Sequence, residues 1–115
     1  DHIAMGEATL AALFPSARDR LTFPELLAEG LEPHKVNEVY IASSEESCDL
    51  FIDIGAQLDA KFASLAAHAS QMGDWDFRTM LTRWARDTAA LARHRNFPGA
   101  EEMEYAEAFK YMQLY

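Results

Sequence analysis

From Ile54 the apolar residues Leu58, Phe62, Leu65, Ala69 and Met72 recur at intervals of four and three, the spacing that lines one face of an α-helix. Gly73 interrupts the pattern. A second stripe comes next, made of Phe77, Met80, Leu81, Trp84, Thr88 and Leu91. Asp74 or Asp76 stands where a carboxylate accepts the first free amides of such a helix. Arg93, His94 and Arg95 close it with the positive charge that suits a helix C-terminus. Two amphipathic helices joined by so short a turn are expected to pack antiparallel.

Upstream, a helix is predicted from Ile3 to Phe14, broken by Pro15. Pro24 can begin a short helix running to Glu29, with Thr22 or Phe23 near its cap and Gly30 after its end. The period then changes. Val36, Val39, Tyr40 and Ile41 predict a strand over 36–42, with Ser43, Ser44, Glu45 and Glu46 as the loop after it. "CDLFIDI" (48–54) is a second extended candidate, and its Asp53 is placed to cap the helix of the first stripe. The closing "EYAEAFKYMQLY" has the composition of a helix. Its Tyr105, Phe109, Tyr111 and Tyr115 nevertheless all fall on odd positions, which is the alternation of a strand. The strand reading is preferred. The expected class is α/β, helix-rich with one to three short strands, in one segment spanning residues 1–115.

The chain has 115 residues, half of them apolar, and 19 acidic against 10 basic residues for a formal charge of −9. That balance argues against nucleic acid as a partner, because phosphate binding needs clustered Lys and Arg, and against anionic membrane surfaces. Cys48 is the only cysteine, so no internal disulfide forms. It sits in a polar loop with no neighbouring base to make it reactive. No apolar run approaches the ~20 residues of a membrane span, and the start lacks the basic and apolar regions of a signal peptide. A cytoplasmic location is expected.

Composition and spacing do not assemble an active site. There is no glycine-rich phosphate loop and no serine in a nucleophile-elbow context. The four histidines, His2, His34, His68 and His94, are far apart and irregularly spaced, whereas a catalytic zinc site needs about three protein ligands and an open position.

The order of four segments adds more. "DHIAMGEA", "FPELLAEGLEPHKVNEVYIA", "DIGAQLDAKFASLAAHASQ" and "EYAEAF" together resemble the C-terminal part of an LmbE-like (PIG-L family) N-acetylglucosaminyl deacetylase. The resemblance covers almost the whole chain. It implies a Rossmann-like fold and a metal-dependent hydrolase that removes an acyl group from the nitrogen of an N-acetylated amino sugar or related conjugate. Metal-activated water would attack the amide, and the metal would be zinc or another divalent ion. In the family a His-Pro-Asp-Asp motif supplies two ligands and the general base, and a later His-x-Asp-His motif ends in the third ligand. This sequence matches the later motif only at Asp1 and His2. The resemblance therefore makes His2 a metal ligand and Asp1 its neighbour behind it. With one ligand of three and no general base, no catalytic residue is assigned within this chain, and it is expected to be inactive alone. Its partner would be the missing N-terminal half, and a homo-oligomer is left open.

His34, His68 and Glu107 are substrate-side candidates, each set against a plainer reading. For both histidines the plainer reading is preferred: His34 as a loop histidine tied to backbone, and His68 as a partly buried histidine beside the first stripe. Glu107 reads as one half of a surface ion pair. His94 reads as a solvated helix end. Trp84 is expected in the core and Trp75 at its rim. The competing class of function is a non-catalytic helical binding or assembly module.

Overall fold

A computed structural model describes residues 1–42 and 46–114. Ser43, Ser44, Glu45 and Tyr115, which carry part of the predicted loop and the last residue of the predicted strand, lie outside the described residues. Those described form mixed α/β structure with five α-helices and a three-stranded antiparallel sheet. They fall into two compact units, residues 1–39 with the chain from Met112, and Tyr40–Tyr111.

The first unit begins with α1 (His2–Ala11). A wide, π-type turn over Ala12–Ser16 comes next, and Phe14 within it is extended (φ −156°, ψ 126°). Sterics push a residue before proline towards that conformation, so the predicted helix stops short of Phe14. α2 (Pro24–Ala28) starts on its proline after Phe23, and Gly30 lies beyond its end at φ +82°, a conformation that glycine adopts without steric penalty. The amide of His34 donates to the carbonyl of Ala17 at 2.8 Å, and that of Leu114 to Asn37 at 2.8 Å. Among the described residues of this unit only Val39 is buried.

The second unit holds the core. β1 (Glu38–Ala42), β2 (Leu50–Asp53) and β3 (Ala106–Gln113) form a sheet in the order β1-β3-β2. β2 runs antiparallel to β3, with Leu50 opposite Phe109 and Ile52 opposite Glu107. The C-terminal segment is thus a strand, as its odd-numbered aromatics predict. α5 (Phe77–His94) packs on β2 and on the 3-10 turn Ala100–Glu102. Cys48, Phe51, Ala92 and Ala100 make a buried cluster, flanked by Leu91, Phe97, Met103 and Ala108.

Two expectations about the helices are corrected. The first stripe is not one helix: Gly55–Gln57 is a 3-10 turn, α3 spans Leu58–Ala66, and α4 is only Ala69–Met72. The break falls at His68 (φ −86°, ψ 47°). Ile54 and Phe62 are buried and Leu65 half-buried, but Ala69 is exposed. Past Leu65 little burial remains to hold the helix against chain entropy.

On α5 the buried residues are Leu81, Ala85, Ala89 and Ala92, so of the second stripe only Leu81 is buried, while Phe77, Met80, Thr88 and Leu91 are half-buried. The alanines let the helix lie close to the sheet. Trp84, expected in the core, is turned outward and 52% exposed. α5 meets α3 at the Arg78 guanidinium, 4.9 Å from the centre of the Phe62 ring.

Capping obeys local chemistry more closely. Asp76 accepts the amide of Thr79 at 3.2 Å and caps α5. Asp53 accepts the amide of Gly55 at 2.8 Å, bonding two residues ahead into the 3-10 turn.

Candidate functional site

Asp1 and His2 stand at the start of α1, exposed to solvent. Asp1 is the N-cap residue and its carbonyl accepts the Met5 amide at 2.9 Å, but its carboxylate makes no capping bond. His2 is the first helical residue. Anchored on a helix end, its imidazole is available as a ligand. His34, in the same unit, is exposed, and the backbone bond to Ala17 is what holds its loop.

His68 and Glu107 belong to the other unit. His68 is exposed at the break between α3 and α4. This corrects the expected half-buried histidine, because the helix it was to flank ends before reaching it. Glu107, half-buried on β3, pairs with the ammonium of Lys61 on α3, which is the plainer of its two readings. His94 is a solvated helix end, and Trp75 is about half exposed.

Cys48 lies in a loop with polar neighbours, as the sequence predicts, and its thiol is buried in the core cluster. Arg95 Nη1 lies 2.8 Å from the Cys48 carbonyl and 3.4 Å from its Sγ.

A divalent metal needs about three converging protein ligands. Among the described residues, no three His, Cys, Asp or Glu side chains converge in that way. Asp1 and His2 offer one corner of such a shell, and these residues alone do not fit the metal.

The structure does assemble a cleft of about 450 Å³ in the second unit, beside α5. Its walls carry Trp84, Thr88, Leu81 and Phe109, with Lys61 and Glu107 alongside. Ala85, Ala106 and Ala108 line it too, and their small side chains are what keep it open. A second, apolar cleft of about 230 Å³ in the first unit is lined by Phe23, Leu26, Leu27 and Leu31 among others.

Sequence reasoning named Glu107 but missed Lys61, its partner 46 residues away. Only the seating of α3 near β3 makes the pair, and no local pattern signals it. The exposure of Trp84 is hidden for a related reason, since periodicity assigns a face to a helix without saying how the helix is rotated.

The chain matches no protein-family model, no curated protein and no solved structure. No described helix is long and apolar enough to cross a membrane.

Proposed function

We propose that this chain contributes the C-terminal part of a metal-dependent N-deacetylase of the LmbE-like type, acting on an N-acylated amino sugar or related conjugate. The observation that carries the reading is the ordered run of segments from Asp1-His2 to "YAEAF" across almost the whole chain. An imidazole presented to solvent by the first turn of α1 supports it.

α1 adds further support. It has no buried residue, and Ile3 and Met5 are 79% and 64% exposed. A helix carrying apolar side chains with nothing against them is suited to being covered by another segment, such as the N-terminal half that the reading requires. That half would supply the remaining metal ligands, the general base and the Rossmann-like remainder of the sheet. The role proposed for this chain is to present His2 on a rigid helix end, with Asp1 beside it. A cytoplasmic setting fits a lone cysteine held as a buried thiol.

The same uncovered helix favours a second reading, a non-catalytic module that binds or assembles through α1. One experiment separates the two. In the protein expressed with its upstream coding sequence, His2→Ala is expected to reduce bound zinc by about 10- to 100-fold or more, the scale seen when a metal site loses even a supporting contact. Release of acetate from an N-acetylglucosaminide is expected to be nearly abolished, with the circular dichroism spectrum unchanged. The 115-residue chain by itself is expected to release none. Unchanged metal content and turnover in His2→Ala would remove His2 from the site, and absence of both metal and turnover from the longer protein would favour the binding module.

A further inference from the structure

α5 is where the chain reverses its charge. Residues 77–95 hold five of the ten basic residues and one of the nineteen acidic ones. Arg93 and Arg95 donate to the carbonyls of Met103 and Cys48. Arg78, Arg83 and Arg86 are exposed instead, and with Thr79, Thr82 and Asp87 they line a groove of about 390 Å³. Every residue of that lining belongs to α5, so the groove runs along the helix and does not close around a small molecule.

Two of the three guanidinium groups are held in place by aromatic rings. Arg78 lies over Phe62, 4.9 Å from the ring centre, and Arg86 over Tyr105 at 5.2 Å. Stacking occupies the face of a guanidinium and leaves its in-plane N–H donors free. Arg86 uses only Nη2, on the Tyr105 hydroxyl at 2.8 Å and on Glu104 at 3.4 Å. Among the described residues, Arg78 and Arg83 form no ion pair.

We propose that this strip docks an acidic polypeptide segment of another protein. Its sign is the reverse of the −9 carried by the chain, and planar guanidinium forks fit carboxylates. Arg78 and Arg86 are two turns apart, about 12 Å along the helix, with Arg83 between them. Such a row matches an elongated anion with carboxylates at intervals, where a single ion would meet one end of it. Asp87 and Glu104 flank the strip. A nucleic-acid duplex is broad enough to press phosphates against both, well inside a Debye length of ~8–10 Å. A single peptide strand meets the arginines alone.

The strip needs neither His2, α1 nor a metal, so it stands or falls apart from the deacetylase reading. The test is fluorescence anisotropy of a dye-labelled octaglutamate peptide titrated with the 115-residue chain at low salt. Saturable binding is expected, weakening as salt screens it, with none to octaglutamine. Arg78→Gln and Arg83→Gln should each weaken it about threefold, the scale of one exposed ion pair, with circular dichroism unchanged. Arg20→Gln removes the same charge from the other unit and should leave binding as it was. An equal response to all three substitutions, or to none, would overturn the assignment, as would absence of saturable binding. Inorganic phosphate or a DNA duplex bound as tightly as the peptide would overturn it in favour of a small oxyanion or of nucleic acid. Dimers of the chain alone that dissociate in Arg83→Gln would overturn it in favour of a second copy.

Discussion

Asp49 fastens the chain just before β2 to the far end of β3. Its Oδ2 pairs with Lys110, and its Oδ1 accepts the Tyr111 amide at 2.8 Å. The Lys110 hydrogen bond, then the Tyr111 amide, holds the carboxyl below its ordinary value of 3.8. A carboxyl depressed on folding contributes stability that is complete above the unfolded-state value and is lost as pH falls through the lower, folded one. Urea midpoints measured from neutral pH down through that window should therefore fall for the parent. They should fall less steeply for Asp49→Asn, which keeps an acceptor for Tyr111 but cannot titrate. Parallel profiles would show that the contact does not persist in solution. Asp76 is depressed by the same kind of bond, from the Thr79 hydroxyl and then its amide, so the comparison requires Asp76 to be intact in both proteins. Asp76 was legible as a cap from sequence, since capping is a local interaction over two or three residues, whereas Asp53, expected to cap the first-stripe helix, instead bonds to the Gly55 amide, and α3 starts after Gln57. The pairing of Lys110 with Asp49 was not legible, because the partners are 61 residues apart.

Among the elements, α5 shows what periodicity can and cannot specify. Its bounds come from Asp76 at one end and the run Arg93, His94, Arg95 at the other. Its rotation depends on what it touches. Ala89, fully buried, is the point where the helix has no slack. Ala89→Leu is expected to destabilise the chain by about 1–3 kcal/mol through overpacking, read as a lower urea midpoint at unchanged slope. An unaffected midpoint would mean that α5 does not seat on the sheet as described. α3 and α4 teach the complementary lesson. A stripe continued in sequence from Ile54 to Met72, but a helix persists only where its stripe is buried, and burial faded after Leu65. β3 was ambiguous by composition and was decided by pairing, for its alternation became meaningful only beside β2.

At the scale of the whole molecule, burial is distributed unevenly. The second unit contains the core cluster, whereas α1 has no buried residue. Helices without tertiary burial open at little cost, and ten residues are too few to be stable alone in water. Hydrogen exchange on the chain should therefore show α1 amides exchanging far faster than those around Ala89 and Ala92. Expression with the upstream sequence should slow exchange in α1 if another segment covers it, which links this measurement to the deacetylase proposal. Protection of α1 equal to that of α5 in the isolated chain would contradict the exposure of Ile3 and Met5.

The features that the sequence determined by itself were local: helix starts and stops set by proline, glycine and the capping Asp76, the strand near Val39, and the absence of a second cysteine to make a disulfide. These depend on sterics and on hydrogen bonds between near neighbours. The tertiary structure decided everything that depends on which surfaces meet. It buried Cys48 despite its polar neighbours, turned Trp84 outward, broke the central helix at His68 and joined Lys61 to Glu107. Each of those outcomes is a competition between burial and exposure at a distance. Its result is set by which surfaces pack together, and no stretch of neighbouring residues carries that information.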